Sequence, residues 1–433
     1  MNPLEKTREN MELKVAAIQL PHVNYDVTGN LQRAVAAVEQ AASQGAQLVL
    51  LPEFFSCGYL FDPELWEMAE VLEDGPTLTA MMEVSRRCNV MIGFTILEAW
   101  IHNNHTDDNA KTTNLTTRKT EIETDFYNTF VLVEPSGTKQ VCRKSEPAAF
   151  EAWVFRGDDS WSPILETSLG IHVGVNICYE NMLVSQQQRL VGTNQSENNT
   201  TARIPFDLLL CPHSAPTTNV CRSFPQDKVD LFNAIVRETP QRMAQLFGVP
   251  VILSNKVGPL HSRNPWPWIM IPRHHTFRGW SSIWDCHHGE TRLVAAASSA
   301  TNPQHNNDAQ DETEIVMATV HLDDNKKKSI AQVQQQLQEL QQQSTRYLVT
   351  LPFPLPFVWT YLMEPMGRWS YARSHAKRRA AVLRAYQRGS QPSTYKPPPK
   401  KDGKVYNSKI LLGMGVAALS GLLLYNQKNS KYD

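Results

Sequence analysis

Three apolar segments each end in a residue able to take part in covalent chemistry. Glu53 closes QLVLLPE, Lys144 closes KQVCRK and Cys178 closes HVGVNIC. Open α/β sheets place their ligands at the carboxyl ends of strands, so the three are candidates for a single site. Cys178 leads directly into a helical pattern from Tyr179-Glu180-Asn181, and a thiol at a helix start is biased toward thiolate. A neighbouring carboxylate can take the thiol proton as sulfur attacks, while an ammonium and the Tyr179 backbone N–H hold the developing oxyanion. Taken singly, each residue has a plainer reading: a core thiol, a helix-start carboxylate, a solvated hairpin lysine. Their order and shared context favour the chemical one.

The elements that must position them are legible from periodicity. LKVAAIQL (13–20) reads as a buried strand, and residues 31–44 carry apolar positions at helical spacing, stopped by Gly45. QLVLLPEFF, then EVSRRC, then NVMIGFTIL continue as strand, helix, strand, which is α/β patterning. NTFVLVEPSGTKQVCRK is a hairpin about Pro-Ser-Gly. Strands follow in HVGVNIC, FDLLLCP, VPVILS and EIVMATVHL, with a late hairpin in WSSIWDCHHGETRLV. Polar Asn/Thr-rich stretches at 102–120, 192–203 and 301–313 cannot supply a core and read as surface insertions.

Between about 13 and 323 the chain resembles the nitrilase superfamily, the carbon–nitrogen hydrolases. The resemblance rests on VAAIQL, LVLLPEFF, NTFVLVEPSG…CRK and GVNICYEN in that order, and later on DLLLCPHSA, GVPVILSNKVG and GWSSIWDCHHGE. It implies an α/β fold of the αββα sandwich type. It also implies a Glu–Lys–Cys triad in which Glu53 is the general base, Lys144 the oxyanion stabiliser and Cys178 the nucleophile. A second glutamate of the family falls on Glu151, in AFEAWVFRGD. Two departures stand out: Lys144 and Glu151 are only seven residues apart, and the Arg-Phe-Pro-Glu that commonly follows the cysteine is replaced by NMLVSQQQ. The implied activity is hydrolysis of a small amide, N-carbamoyl compound or nitrile through a thioester or thioimidate, without cofactor. The alternatives are a catalytically silent nitrilase-like membrane scaffold and a thiol-dependent N-acyltransferase. A homodimer is expected by family analogy alone.

Other chemistries have less support. His274-His275 and Cys286-His287-His288 suggest metal ligands, but adjacent strand residues face opposite ways and no second ligand pair stands at a usual spacing. His213 follows a strand end and can face the pocket or serve structurally, and Tyr59 and Phe61 can line a pocket or pack in the core. No glycine-rich phosphate loop is present, and no nucleic-acid partner is expected. Seven widely spaced cysteines form no disulfide framework.

The net charge of −1 is unevenly placed. Residues 366–409 hold twelve Lys/Arg against the single Asp402, a net +11, whereas residues 1–365 carry −13. Domain limits of 11–324 for the hydrolase-like part and 325–409 for a Gln-rich, basic extension follow. Residues 410–425, ILLGMGVAALSGLLLY, form an uncharged stretch of sixteen residues and the candidate C-terminal transmembrane anchor. The N-terminus has no secretory h-region. The expected placement is therefore cytosol-facing and membrane-anchored by the C-terminus, with basic residues on anionic lipid; the alternative is cytoplasmic and soluble.

Overall fold

The computed structural model describes residues 11–388, apart from 22, 62, 103–122, 193–201, 219–224, 267–268, 288–289, 302–311, 343–345 and 352–354. Two sheets face one another. The larger runs Lys139–Arg143, Glu123–Val133, Met91–His102, Leu48–Leu50, Met11–Pro21, Lys256–Trp266, Ile269–Arg278, Pro216–Thr218, with Glu314–Leu322 also paired to Met11–Pro21. The smaller runs Glu290–Ala296, Ser282–His287, Val251–Ser254, Leu208–Pro212, His172–Val175, Ile164–Glu166.

Alternation in the first strand explains the layering. Leu13, Val15 and Ala17 face the other sheet, joining Leu48, Leu50, Val173, Leu208, Leu210 and Ile252. Ala16, Ile18 and Leu20 face outward onto Ala34, Val38, Ala41, Met81 and Val84 of the helices Val27–Ser43 and Pro76–Cys88. A period of two thus gives one strand two buried faces. On the far side Leu209, Val251 and Leu253 meet Leu190, Met243 and Phe247 of the helices Val184–Val191 and Gln226–Phe247. The order is helix, sheet, sheet, helix.

Boundaries shift from the expected ones for local reasons. The first helix begins at Val27 rather than Leu31, because Asp26 caps it by accepting the Gly29 N–H at 3.0 Å. An arm not anticipated from sequence pairs Lys256–Trp266 with Ile269–Arg278, in register from Val257↔Arg278 to Trp266↔Ile269. Pro259, Pro265 and Pro272 argue against strand; in this arm they are carried by a long two-stranded ribbon.

The C-terminal expectations need correction. Among the described residues no helix is long and apolar enough to cross a membrane. The transmembrane anchor, the membrane contact and the membrane-anchored localisation therefore do not stand. The 410–425 stretch itself lies outside the described residues, and sixteen residues of helix reach about 24 Å against a hydrocarbon core of roughly 30 Å. The basic segment, in its described part, docks on the protein. Arg378 Nη1 donates to Thr124 O and Asp125 Oδ1, each at 2.5 Å, and Arg384 pairs with Glu67. Two of the cations expected on lipid, Arg378 and Arg384, are thus paired with acidic residues of the body.

The extension also contributes core. Val333 and Leu337 of the helix Ile330–Gln342 pack with Val184, Leu190 and Phe247, while Tyr347, Val349 and Leu351 join the central cluster. Burying a large apolar side chain contributes about 1.5–3 kcal/mol, against a typical total stability of about 5–15 kcal/mol. A chain ending at residue 325 is therefore expected to lose its cooperative melting transition, while one ending at 394 keeps it. Calorimetry of the two truncations checks this; equal melting temperatures would refute it.

Candidate active site

Glu53 stands three residues past the strand Leu48–Leu50, pinned to the opposite sheet. Its N–H donates to His213 O at 3.2 Å, and Ser214 Oγ donates to its carbonyl at 2.6 Å. Phe54 follows in the left-handed region, φ +49°, its N–H donating to Thr95 Oγ1 at 2.7 Å and its carbonyl accepting from Lys256 Nζ at 2.9 Å. The backbone turns sharply there, and the carboxyl group is left inside.

Lys144 leaves the strand Lys139–Arg143. The preceding Arg143 is clamped by Glu98 through two bonds, at 2.9 and 3.0 Å, and by Asp158 at 2.9 Å. Lys144 N–H donates to Asn128 O at 2.8 Å, and Asn128 Nδ2 donates to Glu53 Oε1 at 2.7 Å. Lys144 Nζ reaches Glu53 Oε1 at 2.9 Å and Glu151 Oε2 at 2.8 Å. Glu151 sits on the single turn Ala149–Trp153, with the Ala148 N–H on Oε2 at 2.6 Å and Tyr59 Oη on Oε1 at 2.5 Å. The short Lys144–Glu151 segment is long enough because one turn brings the second carboxylate back beneath the ammonium. All three charged side chains are at most 1% exposed.

Cys178 opens the turn Cys178–Met182 after the strand His172–Val175, with φ +52°. A side chain in that region costs about 1–3 kcal/mol and needs surrounding structure to hold it. Glu180 provides much of this. Its Oε2 accepts the Ile177 N–H at 2.8 Å, and its Oε1 accepts the Ser145 N–H at 2.7 Å. The nucleophile turn is thereby bonded to the residue after Lys144. Asn181 Nδ2 donates to Cys178 O at 3.1 Å and lies 2.8 Å from His213 Nε2.

The electrostatics depart from one expectation. The turn after Cys178 spans only five residues, and burial pushes the thiol well above its ordinary value. Glu53 adds to the rise and Lys144 only partly offsets it. The resting sulfur is a neutral thiol, so a base must act during attack. Burial alone would depress Lys144, but Glu151 and Glu53 overcome it and hold the ammonium protonated. Glu151 is raised by burial and by Glu53, against Lys144. His213 is lowered to about 3 by burial and by Lys144, and is neutral.

The two carboxylates are not equivalent. Both oxygens of Glu151 are engaged, whereas Glu53 Oε2 is buried without a hydrogen-bond partner. Both carboxylates hold the cation, but only Glu53 keeps an oxygen without a hydrogen-bond partner. Among the described residues no group of three or more His, Cys, Asp or Glu could hold a metal ion. Cys286 is buried, and the side chains of His274, His287 and His288 lie outside the description. Tyr59 belongs to the site through Glu151, and Phe61 packs against it edge-on.

Sequence reasoning missed several supporting residues. Glu180 was visible only as the third residue of CYEN. Asn128 faces Glu53 across strands distant in sequence. The C-terminal extension gave no signal of contact with the candidate site, yet Tyr179 Oη lies 2.9 Å from Tyr347 Oη and 3.3 Å from Glu364 Oε1. Arg346 then joins Glu364 Oε2 and Glu146 Oε2, each at 3.1 Å. A guanidinium from the extension thus bridges the Lys144–Glu151 segment to the residue beside the nucleophile.

Residues 14–189 match the sequence profile of the carbon–nitrogen hydrolases. A nitrilase of Pyrococcus abyssi is 29% identical over 170 residues, 39% of this chain and 56% of that protein. The N-carbamoylputrescine amidase of Arabidopsis thaliana is 22% identical over 197 residues, 43% of this chain and 58% of that one. The chain therefore spans little more than half the length of these curated relatives. A carbon–nitrogen hydrolase of Helicobacter pylori shares the fold, with a TM-score of 0.51 at 14% identity over 76% of this chain and 93% of that chain.

Because Glu53 raises the Cys178 thiol, Glu53→Gln is expected to lower the pH midpoint of iodoacetamide labelling at Cys178, read by peptide mass spectrometry. A midpoint that rises or stays put refutes the electrostatic assignment. Arg346→Ala leaves the nearly buried Glu364 without its cation. The pair is about a third exposed on the arginine side, so the expected loss is about 1–2 kcal/mol by denaturant titration. No loss would show the bridge to be incidental.

Proposed function

We propose that this chain, whose residues 14–189 match the carbon–nitrogen hydrolase profile, acts as a hydrolase of the nitrilase superfamily and cleaves a C–N bond of a small non-peptide amide, N-carbamoyl compound or nitrile through a covalent adduct on Cys178. The observation that carries this reading is the buried Glu53–Lys144–Glu151 cluster, with one unpartnered Glu53 oxygen in the electrostatic neighbourhood of the thiol.

Glu53 takes the Sγ proton as sulfur bonds to the carbonyl carbon, so thiolate forms only as it is consumed. The Lys144 ammonium and the Tyr179 N–H stabilise the oxyanion. Collapse breaks the C–N bond, and Glu53 passes its proton to the leaving nitrogen. Glu53 then takes a proton from water as it attacks the thioester, and Cys178 leaves with that proton restored. A nitrile follows the same route through a thioimidate, with water entering to release the amide or acid. Glu151 stays on Lys144 throughout, since both its oxygens are occupied. Removing the general base lowers turnover by about 10²–10⁴-fold in comparable systems.

A second reading, acyl transfer to an amine, is favoured by burial: Glu53 and Lys144 are inaccessible and Cys178 is 8% exposed. A site so closed to bulk water suits an acceptor that binds in its place. A panel of small amides, N-carbamoyl compounds and nitriles, assayed for ammonia release with and without added primary amines, separates the readings. Intact-mass detection of an acyl adduct, lost in Cys178→Ala, is expected. Glu53→Gln should cut turnover by about a hundredfold or more. Turnover that survives Cys178→Ala excludes the mechanism, and no turnover or adduct across the panel supports a silent scaffold.

A further inference from the structure

Two consecutive residues carry the general base into the site, and all four of their backbone polar groups are held. The Glu53 N–H donates to His213 O, its carbonyl accepts from Ser214 Oγ, and the Phe54 N–H donates to Thr95 Oγ1. These three partners are neutral. The fourth is not: the Phe54 carbonyl accepts from the Lys256 ammonium at 2.9 Å. A hydroxyl satisfies a carbonyl equally well, as Ser214 does one residue earlier, so the charge needs its own explanation.

Lys256 is 1% exposed, and among the described residues its Nζ binds no carboxylate. Burying an ammonium without an opposite charge in contact is unfavourable. The Tyr59 and Phe277 rings, with centroids each 5.8 Å from Nζ, compensate in part. The site supplies more. Burial lowers Lys256 to about 8, against Cys57, Glu53 and Cys178, which favour its charged form. Coulomb attraction is mutual, so the ammonium in turn favours the anionic forms of Glu53 and Cys178.

The lysine is firmly mounted. It pairs with Leu20 of the first strand, and its carbonyl accepts the Gly279 N–H at 2.9 Å. Asn255 Oδ1 accepts both the Lys256 N–H at 2.9 Å and the Ala215 N–H at 3.2 Å. Asn255 thereby ties Lys256 to the segment whose Ser214 holds Glu53 from the other side.

We propose that Lys256 is a positioning residue for the reaction at Cys178: its ammonium fixes the left-handed turn at Phe54 that directs Glu53 inward, and its charge favours the anionic forms through which Glu53 and Cys178 pass. This rests on the reading of Glu53 as the general base. Lys256 acts through Glu53 and Phe54, whereas Lys144 binds Glu53 and Glu151 directly.

The pH midpoint of iodoacetamide labelling at Cys178, measured in the full chain, needs no substrate and reads that charge. Lys256→Met, close in length and uncharged, should raise the midpoint by about half a pH unit or more, opposite in direction to Glu53→Gln. Lys256→Gln should do the same and serves if the methionine variant loses its melting transition. Lys256→Arg, which stays charged, should keep the wild-type midpoint. Lys14→Met removes a lysine bonded to a different backbone carbonyl, Gln44 O at 2.6 Å, and should change nothing. On a substrate found in the panel above, Lys256→Met should lower kcat about tenfold or more with KM little changed. The wild-type kcat should fall above about pH 8, and Lys256→Arg should move that fall to higher pH. Should no substrate turn over, the hydrolase reading fails and the labelling comparison still decides this one. An unchanged midpoint in the folded neutral variants, or an equal rise in Lys14→Met, overturns the proposal.

Discussion

An ammonium withdrawn completely from water is the constraint around which this protein is arranged. Lys144 remains charged only because Glu53 and Glu151 surround it. An uncompensated buried charge of this kind typically costs about 3–5 kcal/mol. The need for two carboxylates explains much of the local architecture. Asn128 donates to Glu53 Oε1 and Tyr59 to Glu151 Oε1, the Ala148 N–H holds Glu151 in place, and the Ser214–Glu53 bond carries the arrangement to the second sheet. The asymmetry that leaves a single oxygen of Glu53 unpartnered follows from this: both oxygens of Glu151 are engaged by its own turn, Tyr59 and Lys144, whereas Glu53 Oε2 has no partner.

What the sequence disclosed depended on whether the signal was local. Strand ends at Glu53, Lys144 and Cys178 were legible because a run of apolar residues stops at each. The helix from Val27 was misjudged at its start, since Asp26 caps it before any apolar periodicity appears. The arm 256–278 was missed because its prolines imitate a loop. Glu180 and Asn128 were not legible as partners at all, their contacts joining segments that only the fold brings together. The thiolate expected from a helix start fell to burial, an effect composition cannot measure.

The imbalance between an acidic body and a basic tail suggested a membrane surface, because a run of lysines and arginines does not state its partner. In the fold the partner is internal: Asp125 and Glu67 receive Arg378 and Arg384. The same extension places Tyr347 and Glu364 against Tyr179 and Arg346 against Glu146. Segments that read as a tether are thus walls and braces of the candidate site, and the hydrolase-like sequence is completed by residues that follow it.

The first strand has a further consequence, for time rather than for geometry. Met11–Pro21 pairs in antiparallel register with Glu314–Leu322, Met11 opposite Leu322 and Gln19 opposite Glu314. Closing that ladder joins positions roughly 300 residues apart, a cost in entropy that grows only logarithmically with loop length but slows the search considerably. During synthesis the strand must wait, one edge unpaired, until nearly three quarters of the chain has been made. An exposed apolar edge is a template for wrong partners. The centre of the finished sheet is thus the segment most in need of protection on the ribosome.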